Sequence, residues 1–354
     1  MLCLRGEWQG MVDLRSDTVT RPSTAMREVM KNAEVGDDVL GDDETVIQLQ
    51  ELGAQMLGKE SALFLPSGTM SNAVAIRCHT QPGDELVTES KSHIYNYEGG
   101  GYAALSGCSI RLVQGQNGMM TAQQVRSAIR KAAGSQSHFA DGSLVCMENT
   151  ANGGGGVCWE QSEIDAVSET AHDKECAVHM DGARLFDAVV HTGVAANRMV
   201  ANCDTISICL SKGLGAPVGS LLVGDEEVIE NAHRWRKMFG GGMRQAGIIA
   251  SAGIYSLQNN VDRLDEDHAR IRRLAEAINV LDSFSIDMET VQTNMVYIGV
   301  DKEKFSADDV VSKLANKGIN LLSTGPQNLR AVAHLDVSDK DIEQAISAFH
   351  SLSH

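Results

Sequence analysis

Short apolar runs alternate along the first two thirds of the chain with longer segments whose apolar residues recur every three or four positions. The runs at 62–65, 85–88, 109–113, 143–148, 176–180, 206–210 and 220–223 are rich in Val, Ile, Leu and Cys on successive positions. Such runs suit strands buried on both faces, as in a parallel sheet. Between them lie helix-period segments. One at 45–57 places Val46, Leu49, Leu52 and Leu57 on one face, another runs from Ser67 to Cys78, and a third covers 161–173. A segment opening at Thr121 carries Gln124 three residues on, the spacing of a capping box. Strands alternating with helices through short glycine-bearing connections predict an α/β fold, with a mostly parallel sheet covered by helices on both faces.

Both ends of the chain depart from that rhythm. Residues 12–22, VDLRSDTVTRP, read as extended, with Pro22 closing the segment before a short helix at 24–33. Beyond about 244, Val261, Leu264, His268, Ile271, Leu274 and Ile278 mark one long amphipathic helix. The basic run Arg270, Arg272, Arg273 on it reads as a solvated face. A strand at 295–300 follows, then a Ser306-capped helix with Gly318 just past its end, strands near 319–323 and 330–335, and a last helix. The expected organisation is an N-terminal segment at 1–23, a large α/β domain at 24–250, and a smaller C-terminal α+β domain at 251–354.

Composition narrows the function classes. The 354 residues include 43% hydrophobic and 22% charged positions, with a net charge of −17 and no clustering of Lys and Arg. That balance argues against nucleic acid or anionic membranes as partners. Eight cysteines include no C-x-x-C pair, and several sit inside strand runs, where a free thiol acts as a small hydrophobe. A reducing, cytoplasmic setting is expected. No apolar run reaches the ~18 residues of a membrane helix, and MLCLRGEWQG lacks an apolar core for a signal peptide. It is expected to be a short extra tail. The eleven histidines show no zinc spacing. The acidic loop GDDVLGDDE at 36–44 lacks the ligand order of a calcium loop, so no metal is expected.

The chemistry concentrates at two strand ends. Asp204–Gly215, DTISICLSKGLG, runs from a buried strand into Lys212. Lysine is rarely buried unpaired, and a desolvated lysine amine attacks carbonyls to form imines. Lys212 could also simply emerge into solvent. Upstream, residues 176–180 form another buried strand that ends at Asp181. A lysine and an acid at the same edge of a parallel sheet, where ligands collect, fit pyridoxal phosphate. The lysine would hold its aldehyde, and the carboxylate would keep the pyridine nitrogen protonated. The turn Pro66-Ser67-Gly68-Thr69 between a strand and a helix outlines a phosphate site, although an ordinary N-cap would read the same. The glycines at 153–156 show no nucleotide-loop register and suggest a substrate-facing loop.

Over nearly its whole length the chain resembles the low-specificity L-threonine aldolases, in the fold type I class of pyridoxal phosphate enzymes. The motifs are DLRSDTVTRPS (13–23), EVGDDVLGDD (34–43), LFLPSGTMSN (63–72), HIYNYEGGG (93–101), HMDGARLF (179–186), LSKGLGAPVGS (210–220), RWRKMFGGGMRQAG (234–247) and HLDVS (334–338). The resemblance implies a seven-stranded sheet in the large domain and a homotetramer, a dimer of dimers with sites at subunit interfaces. It implies retro-aldol cleavage of L-threonine or L-allo-threonine, a small-molecule amino acid, to glycine and an aldehyde. Lys212 would carry the cofactor and Asp181 pair with its ring nitrogen. Gly68, Thr69 and Ser211 would cradle its phosphate, with Arg244 reaching a phosphate across an interface. His93 would stack on the ring beside the substrate hydroxyl and serve as base. Ser16, Arg184 and Arg330 would hold the substrate carboxylate. The alternatives are another reaction on the same cofactor, β-elimination or racemisation, or a catalytically weak relative with a binding or regulatory role. Three departures bear on the substrate side: Leu40 stands where the family has tyrosine, Glu44 where it has proline, and Ala151 where it has histidine.

Overall fold

The computed structural model describes residues 11–352; the tail expected at 1–10 lies outside them. Seven strands form the central sheet: β2 (Ser61–Leu65), β3 (Glu85–Glu89), β4 (Ser109–Val113), β5 (Gly142–Glu148), β6 (Ala177–Gly182), β7 (Thr205–Cys209) and β8 (Ser220–Gly224). Their spatial order is β2-β8-β7-β6-β5-β3-β4. Only β8 runs against its neighbours β2 and β7; the other pairings are parallel. The carboxyl ends of β2, β3, β5, β6 and β7 therefore share one edge. Strands β3, β7 and β8 are buried at every position, the physical reason their sequences do not alternate.

Helices cover both faces. α1 (Thr24–Lys31) and α2 (Glu44–Leu57) pack on the helix Gly247–Asn259, and α3 (Gly68–His79) follows β2 directly. The core of this layer runs from Met26 to Leu264. A second core holds Ile271, Leu274, Ile298, Leu329, Phe349 and also Val12 and Leu14. Here β9 (Phe284–Ser285), β10 (Met295–Val300), β12 (Leu322–Gly325) and β13 (Asn328–Val332) make a four-stranded antiparallel sheet. The N-terminal β1 (Val12–Asp13) pairs in parallel with β11 (Ile319–Asn320), so the chain's start is stitched to its end.

Three local expectations change. The run at 319–323 divides between two sheets, as β11 and the start of β12. Only the first residues of 12–22 are strand; Ser16 caps a short 3₁₀ turn at Asp17–Val19 by accepting from Thr18 N. The basic run on the helix Leu264–Asn279 is not uniformly solvated, because the Arg270 side chain is only 15% exposed and pairs with Glu266, Asp267 and Asp339.

The acidic loop is consumed by structure. Asp43 caps α2 and accepts from Gly247 N. Asp38 pairs with the buried Arg236, and Asp37 pairs with Arg244. The described cysteines are all unpaired thiols. No helix among the described residues is long and apolar enough to cross a membrane.

Candidate active site

The shared strand edge gathers six of the ten candidate residues. Gly68, Thr69, His93, Asp181, Ser211 and Lys212 line one cavity of about 340 Å³, within the ordinary size of a small-ligand site. Half-buried Lys212 lies three residues past β7. Its backbone carbonyl accepts from Gly215 N at 2.8 Å and from Thr20 Oγ1 at 3.2 Å. The N-terminal turn is thereby laid against the lysine.

At one end of the cavity lies the start of α3. Ser67 caps this twelve-residue helix by accepting from Met70 N, which leaves the first amides and the positive helix end for an anion. Gly68 is required by space: a Cβ there would lie 2.6 Å from Cys209 Sγ. At the other end Asp181 is 3% exposed. It accepts from Asn72 Nδ2 at 2.9 Å and from Ala183 N at 3.1 Å. Its register partner on β5 is Glu148, a second buried carboxyl.

His93 opens a short helix just after β3. Its backbone N–H donates to Glu148 Oε2 at 2.6 Å, and its ring Nδ1 lies 2.9 Å from Glu98 Oε1. Burial alone would depress the imidazole, but the hydrogen bond to Glu98 and the nearby Asp181 outweigh it, so His93 titrates above its ordinary value. Burial pushes Glu98 up as well. Burial, then the Asp181 charge, pushes Glu148 up to about 7 although two backbone N–H groups donate to it. Three carboxyls, Glu98, Glu148 and Asp181, thus surround His93.

The residues expected to hold a carboxylate come from segments far apart in the chain. Arg184 donates Nε and Nη2 to Asp17 at 2.7 Å each. Its partner is Asp17, not the neighbouring Asp181. Asn294 also donates to Asp17, at 3.1 Å. Arg330 donates to Asn152 Oδ1 and to the carbonyl of Arg15, each at 3.2 Å. Tyr297, its register partner on β10, also faces the guanidinium. Ser16 sits beside these groups, accepting from Thr18 N and Thr18 Oγ1.

Arg244 is not among the cavity's lining; its side chain is 58% exposed and pairs with Asp37 at 2.8 Å. Leu40 on the same loop is 74% exposed. Ala151 is 1% exposed, and its Cβ lies 3.0 Å from where a Cβ on Gly118 would stand. It is not among the residues that line this cavity. Ala151→His is therefore expected to overpack the turn at Gly118 and cost about 1–3 kcal/mol, measured as a lowered urea midpoint, without a gain in cleavage rate.

Asp17, Asn72, Glu98, Glu148 and Asn152 were not singled out by sequence reasoning. Asp17, Asn72 and Glu98 do lie inside motifs quoted above, but nothing local says that an Asn on a helix will bridge two distant carboxylates.

The donors fit pyridoxal phosphate: an amine, a buried carboxylate held by two donors, and a helix start for a phosphate line one cavity. His93, Glu98 and Asp181 also stand close enough to share a cation, but they belong to this same site and already share hydrogen bonds.

The beta-eliminating lyase family matches residues 13–301. A low specificity L-threonine aldolase of Escherichia coli K12 is 43% identical over 335 residues, covering 94% of this chain and 97% of that protein. A probable low-specificity L-threonine aldolase of Arabidopsis thaliana is 40% identical over 346 residues, covering 97% of each. The crystal structure of a putative L-allo-threonine aldolase from Listeria monocytogenes superposes with a TM-score of 0.81 at 20% identity, over 98% of both chains, and shares the fold. Matches of that extent place the chain in the beta-eliminating lyase family, among the low-specificity L-threonine aldolases.

Proposed function

We propose that the protein cleaves the Cα–Cβ bond of L-threonine, L-allo-threonine and related β-hydroxy-α-amino acids, giving glycine and an aldehyde, with pyridoxal phosphate as cofactor. The observation that carries this reading is the convergence of Lys212, Asp181 and the α3 N-terminus on one cavity. The bound cofactor supplies an electron sink for the pair released when the bond breaks.

The chain's own groups do the rest. Lys212 would hold the cofactor through its side-chain amine. Asp181, oriented by Asn72 and Ala183, keeps a proton on the ring nitrogen. Gly68, Thr69 and Ser211 bind the phosphate. Arg184, Arg330 and Ser16 would fix the substrate carboxylate and so orient the substrate for cleavage. His93 takes the proton from the β-hydroxyl. With Nδ1–H donated to Glu98, Nε2 is the free acceptor for it.

As base, His93 must be neutral. Its raised titration means that activity climbs with pH through a midpoint above 6.5. Arg330→Lys is expected to raise KM for the amino acid by ~10–100-fold with a smaller effect on kcat, because lysine cannot replace a planar fork. Steady-state kinetics check it.

Arg244 and Leu40 stand apart from the cavity of their own protomer. We assign them to a neighbouring protomer's site in a homotetramer, with Arg244 at the phosphate. Light scattering of the purified protein tests the assembly. In this reading residues 24–250 carry the cofactor, residues 251–354 bring Arg330 to the substrate, and the protein works in the cytoplasm.

The deciding experiment measures acetaldehyde and glycine from both threonine diastereomers. Equal yields of the two products establish cleavage. Ammonia with an oxo acid would mean β-elimination, and D-allo-threonine from L-threonine, or D-threonine from L-allo-threonine, without glycine would mean racemisation.

A further inference from the structure

Asn72 stands between two buried carboxylates that the proposed chemistry uses differently. Its Nδ2 lies 2.8 Å from Glu98 Oε1 and 2.9 Å from Asp181 Oδ2. A carboxylate only accepts, so the amide nitrogen must face the pair and both of its protons are spent there. The amide oxygen then faces His179 Nε2 at 3.0 Å, which fixes the proton on that nitrogen. His179 is fully buried, and burial holds it down to about 4, so the ring is neutral and its Nδ1 is an acceptor. Thr205 Oγ1, 2.9 Å away, must donate to it. That hydroxyl has one proton, so the contact from His79 Nε2 at 3.0 Å must be a donation to Thr205. Every proton in the chain is thus assigned: His79 to Thr205, Thr205 to His179, His179 to Asn72, and Asn72 to both carboxylates.

We propose that Asn72 is a positioning residue, locked in one orientation by this one-way chain, whose two N–H groups orient Asp181 and hold down the basicity of the Glu98–His93 pair. The inference rests on reading His93 as the group that takes the hydroxyl proton. The charged groups facing His93 are Glu98 in its own turn, Asp181 on β6, Lys212 beyond β7 and Glu148 on β5. Three are carboxyls, and the Asn72 dipole is aimed at two of them. Without it their negative charge is less compensated, and protonated His93 is favoured further. A base held protonated to higher pH does less work at neutral pH.

The test is histidine NMR of wild type, Asn72→Leu and Thr205→Val, with the His93 resonance assigned by its loss in His93→Asn. Asn72→Leu is expected to raise the His93 midpoint by about half a pH unit or more. The acid limb of kcat/KM is expected to move with it. Thr205→Val leaves the amide in place but frees the His179 tautomer. It is expected to shift the midpoint the same way by a smaller amount, and it decides the matter if Asn72→Leu does not fold. An unchanged midpoint in the folded variants overturns the proposal, since a merely structural amide would alter stability and not this titration. If wild type releases no aldehyde yet the midpoint shifts, the chain's control of His93 stands and the aldolase reading falls.

Discussion

Replacing Lys212 with alanine is expected to lower glycine and acetaldehyde formation by ~10³-fold or more, about 4 kcal/mol of barrier. The reason is specific to the position. The amine stands at the edge where β6 and β7 end, in a cavity that also holds Asp181 and the start of α3, and no other lysine lines that cavity. The variant should also lose the visible absorbance of bound cofactor after gel filtration. The fold should survive, because the bonds that place the segment use the Lys212 carbonyl, which accepts from Gly215 N and Thr20 Oγ1. A folded variant that keeps its activity would show that another group does this chemistry.

The second large effect is on stability. Asp17 is fully buried, receives two bonds from Arg184 and one from Asn294, and ties the N-terminal turn to both cores. Asp17→Asn leaves the Arg184 charge buried without the carboxylate that it bonds. Breaking a buried pair in this way costs about 3–5 kcal/mol, measurable by urea unfolding. KM should rise as well, since Arg184 loses the partner that aims it.

Acid should reproduce part of this loss in two stages. Burial depresses His179 from 6.5 to about 4. Its contribution is therefore complete above 6.5 and lost as pH falls toward 4. That gap corresponds to about 3 kcal/mol at ~1.4 kcal/mol per pH unit. For Asp17, burial opposes ionisation, but the Arg184 charge and hydrogen bonds outweigh it and hold the carboxyl far below its ordinary value. Its contribution is present above about 3.8 and disappears as pH falls further. Urea midpoints at pH 7, 5 and 3 should decline in that order. A flat profile from pH 7 to 5 would contradict the neutral His179 on which the Asn72 chain depends.

How far the sequence carries the argument depends on the range of the interaction. Strand runs such as 206–210 and 220–223 were legible because burial on both faces removes polar residues from every position. The helix caps at Ser67, Thr121, Ser306 and Ser338 obey a rule spanning three residues. The division of 319–323 between two sheets was not legible, since nothing in five residues states which neighbour each half will meet. Lys212 and Asp181 could be read because each ends a strand, and parallel strands bring their ends to one edge.

By itself the sequence determined the α/β architecture and the strand edge at which Lys212, Asp181, His93 and Gly68 gather. The tertiary structure alone decided their partners. Arg184 pairs with Asp17, 167 positions away in sequence, Arg330 with Asn152, and Asn72 with Glu98 and Asp181. It also decided that Ala151 faces the Gly118 turn rather than the cavity. Local rules reach only a few residues. The state of a buried charge depends on whichever groups the fold brings within hydrogen-bond distance, and in this protein those come from both ends of the chain.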